Sequence, residues 1–172
     1  MIVSFKLNGK YVKVEVLPNE RLSNVLRSKF GLKSIKIASY DGLRGGDCIL
    51  LDGNVAPSSL IPIFNVEGRE LVSLEYFSSD KSYAPYYKLI MKHFKMHNIE
   101  LCGFCNAGKI FATYKIIKVN LDSDDAYFDE KLKTFYSISL CRCTVPNKLI
   151  SCAKEIIASS MRSKRAINYG RK

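Results

Sequence analysis

Six of the 172 residues are cysteines, at positions 48, 102, 105, 141, 143 and 152. Four of them form two tight pairs, Cys102-Gly-Phe-Cys105 and Cys141-Arg-Cys143, and thiolates are soft ligands suited to zinc or iron-sulfur clusters. Each pair stands just ahead of a segment with helical spacing, where free N–H groups and the positive end of the helix dipole favour thiolate over thiol. Zinc sites typically place about two to four residues between paired ligands, so the single residue in Cys141-Arg-Cys143 suits zinc poorly. A 2Fe-2S cluster takes two thiolates on each iron. Spacing therefore favours iron-sulfur and keeps zinc as the alternative. Neither pair contains a histidine, which leaves a Rieske-type arrangement without support.

The other chemistry-bearing residues read more plainly. Cys48 stands in an apolar run and Cys152 among apolar helix positions, so both are expected as packed, half-buried or buried thiols. His93 and His97 lie four apart on one helix and could face one ion, yet the sequence offers no neighbouring glutamate and no third ligand, so partly buried or surface histidines are the expectation. The loop Gly42-Leu-Arg-Gly-Gly46 lacks the Gly-Lys-Ser/Thr ending and following helix of a phosphate cradle. No side chain is assigned as catalytic.

The elements that must position the four cysteines follow from pattern. Ile2 to Leu7 and Tyr11 to Val16 are β-rich runs around Asn8-Gly9, a strong hairpin signal. Asn19 is placed to cap a helix carrying Leu22, Val25, Leu26 and Phe30, with Gly31 as its left-handed C-terminal cap. A Gly-rich loop from Asp41 to Asp47, a short run Cys48 to Leu51 closed by Asp52-Gly53, and a strand near Leu71 to Tyr76 complete an α+β unit. Beyond Ser78 the period becomes helical. Tyr86, Leu89, Ile90 and Phe94 mark one helix, Ile110 to Ile117 a second, and Pro146 opens a third containing Leu149, Ile150, Ala153, Ile156 and Ile157. The expected division is a first domain over 1–78, a helical domain over 79–160 and a basic tail over 161–172 that frays into solvent.

Charge is asymmetric. Residues 1–78 hold 10 basic and 8 acidic groups, residues 79–172 hold 17 and 8, and the whole chain carries +11. Such a surface suits an acidic protein partner, nucleic acid or an anionic membrane. Nucleic-acid binding is the weaker choice, because Tyr83, Tyr86 and Tyr87 fall at core-like helical spacing. No stretch approaches the roughly 18 apolar residues of a membrane span. The opening Met1-Ile-Val-Ser-Phe-Lys6 puts a charge where a signal peptide has its apolar core, which points to the cytoplasm and to reduced thiols rather than disulfides.

The chain resembles the small iron-sulfur subunit of the molybdenum hydroxylases, the group of xanthine dehydrogenase, aldehyde oxidase and carbon monoxide dehydrogenase. The likeness runs from about Ile2 to Ala158 through Leu7-Asn-Gly-Lys10, Arg21-Leu-Ser-Asn-Val-Leu-Arg27, Lys36-Ile37, Leu50-Leu-Asp-Gly53, Cys102-Gly-Phe-Cys105 and Leu140-Cys-Arg-Cys-Thr144. It implies an α+β protein: an N-terminal β-grasp ferredoxin-like domain, then an all-α four-helix 2Fe-2S domain. It implies an electron carrier, not itself catalytic, working beside a large molybdopterin subunit and a flavin subunit. Cys102, Cys105, Cys141 and Cys143 would hold one 2Fe-2S cluster, with Cys143 near the partner's pterin.

Departures from the family pattern matter as much. Aligning on Leu50-Leu-Asp-Gly53 puts Ser39, Arg44, Asp47 and Ser59 where the family's ferredoxin-domain cluster has its four cysteines. No cluster is expected there, since iron-sulfur iron prefers thiolate and Arg44 is a permanent cation. Leu101 replaces the usual Gln ahead of the first motif, and Asn106-Ala-Gly108 replaces Thr-Pro-Gly after it. The competing possibilities are a non-redox structural or docking subunit of such a complex and a basic nucleic-acid-binding module.

Overall fold

A computed structural model describes residues 1–119, 126–137, 139 and 141–169, with side chains through Ser159. β1 (Ile2–Leu7) and β2 (Lys10–Glu15) pair antiparallel from Ile2 opposite Glu15 to Leu7 opposite Lys10. The turn between them is the expected one, with Asn8 and Gly9 at φ 52° and 80°. Period-2 alternation then turns Val3, Phe5 and Leu7 inward.

α1 (Leu22–Ser28) crosses this face, burying Leu22, Val25 and Leu26 in one cluster with Val3, Phe5 and Leu7. Its start differs from the expectation. The residue ahead of the helix is Arg21, not Asn19, and its Nη1 donates to the Ser59 carbonyl at 2.7 Å instead of capping. Gly31 does take a left-handed φ of 66°, and the Leu32 N–H reaches back to the Leu26 carbonyl at 3.2 Å. Phe30 lies past the helix and sets its ring edge-on to Phe5, centroids 5.8 Å apart.

β3 (Cys48–Leu51), β4 (Asn54–Pro57) and β5 (Glu70–Val72) complete a five-stranded sheet of order β2-β1-β5-β3-β4, with β1 and β5 parallel and the other neighbours antiparallel. The strand expected over Leu71 to Tyr76 is cut short. The Ser73 Oγ accepts the Tyr76 N–H at 3.5 Å and starts α2 (Leu74–Ser79), because serine satisfies a free helix N–H better than it continues a strand.

β3 is buried along its whole length. Ile49 and Leu51 join the α1 cluster, while Cys48 and Leu50 join a second core formed with the helices that follow. Those helices are α3 (Ala84–Met96), α4 (Asn106–Val119), α5 (Phe128–Tyr136) and α6 (Pro146–Tyr169). The Phe77 ring lies 5.2 Å from Phe111 and 4.9 Å from Tyr114, so α2 belongs to the helical core and the polar stretch after it merely links α2 to α3. Tyr83, Tyr86 and Tyr87 pack against the same core, which removes them as base-stacking platforms. α4 is buried on nearly every side, as its apolar pattern requires.

The architecture is α+β, a mixed sheet with helices on both faces. Instead of fraying from 161, the chain continues as α6 through Tyr169. Leu140 and residues 170–172 lie outside the described residues. No described helix is long and apolar enough to cross a membrane.

Candidate metal centre

The two cysteine motifs, far apart in sequence, line one cavity together with Ala38, Arg44, Phe104 and Arg142. Its volume of about 340 Å³ is roughly ten times the share of one water molecule in the liquid, so it accommodates a polyatomic group. Cys105 is buried and Cys141 half-buried, while Cys102 and Cys143 are exposed at the rim.

Local backbone explains the first motif. Gly103 takes a φ of 93°, a conformation a side chain would resist. The loop so formed lets the Phe104 N–H donate to the Cys102 sulfur. The Asn106 Oδ1 accepts the Gly103 N–H at 3.3 Å, and α4 starts at Asn106 directly after Cys105. α6 starts at Pro146, three residues past Cys143.

The thiols influence one another across the motifs, Cys102 most strongly with Cys143 and Cys105 with Cys141. Burial, and after it the neighbouring Cys141, push Cys105 up to about 12. Burial also pushes Cys141 upward, but hydrogen bonds from Cys105, Lys109 and the Cys143 N–H, with the Lys109 charge, bring it down to about 7. Cys102 is lowered by the Phe104 N–H and by Cys143. Four sulfurs with N–H donors and a cation beside them suit an anionic metal-thiolate group, and the donor set is all-sulfur, as soft metal centres prefer.

Lys109 is the functional residue that sequence reasoning missed. It is 0% exposed, and its Nζ donates to the Glu100 carbonyl at 2.5 Å and to the Thr144 Oγ1 at 3.0 Å. One cation thus bridges the chain before the first motif and the chain after the second. Its position one turn after Cys105 on the following helix is the available signal.

Ser39, Arg44, Asp47 and Ser59, where the resemblance implies lost ligands, make other contacts. The Asp47 carboxylate accepts the Ser59 N–H at 2.8 Å, and the Asp47 carbonyl accepts the Ser58 hydroxyl at 2.6 Å. The Ser39 hydroxyl donates to Asp41 at 2.7 Å, and Arg44 faces the cysteine cavity. These hydrogen bonds hold the loop. Gly108 also donates its N–H to the Gly45 carbonyl at 2.8 Å, fastening the loop to α4. Leu101 packs against the helical core. Cys48 and Cys152 are fully buried, Cys48 more deeply than the half-buried expectation, and burial lifts both thiols to about 12. They are inert packing residues.

A family model for a 2Fe-2S binding domain matches residues 74–154. The nicotine 6-hydroxylase small subunit of Paenarthrobacter nicotinovorans is 30% identical over 142 residues, 83% of this chain and 81% of that protein. The nicotinate dehydrogenase small FeS subunit of Eubacterium barkeri is 26% identical over 142 residues, 83% and 85% of the two chains. Among solved structures, quinoline 2-oxidoreductase from Pseudomonas putida 86 superposes with a TM-score of 0.75 at 27% identity, over 95% of this chain and 96% of the matched one. With its paired cysteine motifs around one cavity, the chain belongs to the small iron-sulfur subunits of the molybdenum hydroxylases.

Proposed function

We propose that the chain is an electron-transfer subunit that carries one 2Fe-2S cluster on Cys102, Cys105, Cys141 and Cys143. The observation that carries this reading is the convergence of both cysteine motifs on a single cavity. Cys105 and Cys141 would hold the cluster from the inside and Cys102 and Cys143 from the rim. Such a cluster takes up and passes on one electron at a time. The chain's own part is to hold the sulfurs, donate N–H groups to them and supply positive charge from Lys109, Arg44 and Arg142.

The partner in this reading is a large subunit that holds the molybdopterin and performs the bond-making chemistry. Cys143, exposed at the rim, faces it. Phe104, 44% exposed beside the cavity, offers apolar surface for that contact. A flavin subunit is the further member of the assembly. Residues 1–72 serve as a β-grasp ferredoxin-like support without its own cluster, and residues from α2 to 160 as the helical cluster domain, with α3 to α6 as its four helices. The expected boundary at 78 thus moves back to the start of α2. The test is iron content of the purified full chain and of Cys105→Ser. About two irons per chain, lost in the variant, support the carrier; a chain without iron whose variant behaves identically supports a non-redox docking subunit.

A further inference from the structure

His93 lies one helical turn before His97, the residue that ends α3, a spacing at which two imidazoles converge. α6 supplies what the spacing alone does not show. One ring nitrogen of each histidine and one carboxylate oxygen of Glu155 lie within 4.8 Å of one another. Glu155 stands 58 positions after His97 in the chain, and its Oε2 is 2.6 Å from the His97 Nε2.

The third member makes this more than a surface ion pair. His93 is 6% exposed, and its Nδ1 is buried with no hydrogen-bond partner. An unmet buried nitrogen is costly, which argues for a ligand that the protein atoms do not replace.

We propose that His93, His97 and Glu155 form a second metal site, separate from the cysteine cavity, for zinc or a similar borderline divalent cation. Two nitrogens and one carboxylate are a zinc donor set with a fourth position left for water. Calcium and magnesium prefer oxygen ligands throughout. The side chains of His97 and Glu155 are 20% and 40% exposed, so an ion enters from solvent on their side while His93 closes the floor. The ion clamps α3 to α6, the helix that begins just after the second cysteine motif.

The test is titration of the full chain with Co²⁺ and with Zn²⁺, run beside His97→Gln and Glu155→Gln. Cobalt held by cysteine shows a thiolate charge-transfer band, so capture at the cysteine cavity is read separately from capture by nitrogen and oxygen. The expected result is one equivalent of Co²⁺ with visible ligand-field bands and no thiolate band, and a Zn²⁺-dependent rise in melting temperature. Each variant should weaken that binding by more than about tenfold while iron content stays unchanged. Both substitutions fall on partly exposed side chains, and either one that folds carries the test. Absence of a nitrogen and oxygen site, or one that both variants leave intact, would overturn the proposal.

Discussion

The Lys109 ammonium donates to the Thr144 hydroxyl at 3.0 Å, joining two residues 35 positions apart. The same nitrogen holds the Glu100 carbonyl, so both cysteine loops close around one buried cation. A unit positive charge near a cluster stabilises the reduced, more negative state and raises its potential.

Lys109→Met keeps the length of the side chain and removes the charge. Its midpoint potential should fall, on the order of 100 mV for a buried unit charge at hydrogen-bonding distance. Arg142→Ala should also lower it, by less, because Arg142 is exposed and screened by water and salt. A redox titration of the two variants beside the parent chain checks the ranking; an equal or larger shift for Arg142→Ala would contradict the role given to Lys109.

Gly108 tests how the Gly-rich loop is fastened to α4. A Cβ there would lie 2.7 Å from the Gly45 Cα and 2.9 Å from its carbonyl oxygen. In an unobstructed helix interior, alanine for glycine gains about 0.5–1 kcal/mol. Here Gly108→Ala should instead cost about 1–3 kcal/mol through forced backbone movement and loosen the cysteine cavity. Thermal denaturation gives the sign directly, and a stabilised variant would refute the close packing.

Glu75 ties α2 to the chain after α1. Partial burial pushes its carboxyl upward, but the Ser34 N–H and hydroxyl, both donating at 2.7 Å, outweigh this and hold it below the ordinary carboxylate range. Since the folded pKa is the lower one, the stabilisation is present above the unfolded value near 4.5 and disappears as pH falls through the folded value. Solvent screening keeps it under about 1 kcal/mol. Glu75→Gln should therefore melt below the parent at pH 7, and the gap should narrow progressively as pH falls below about 4.5. A gap that widens on acidification would reverse the assignment.

The elements legible in the sequence are those whose signal is local. Asn8-Gly9 between two β-rich runs, the apolar stripe of α3 and Pro146 at the head of α6 need no tertiary information. Spacing misplaces the α1 start because Arg21 is committed to the Ser59 carbonyl, a contact across 38 positions that spacing does not show. β4 is four residues long, and α5 carries its stripe on only Phe128, Leu132 and Tyr136, too little for periodicity to separate from a loop. Within the site, the thiol motifs are plain. Lys109 is not, since lysine normally marks solvent and only the folded chain shows it buried. The mutual proximity of Glu155, His93 and His97 is likewise a product of packing between α3 and α6.

Electron paramagnetic resonance of the dithionite-reduced full chain, with iron and acid-labile sulfide measured on the same sample, bears most directly on the four-cysteine centre. The expected result is a single 2Fe-2S signal with about two irons and two sulfides per chain. A silent spectrum with one zinc per chain held by the same cysteines would contradict it.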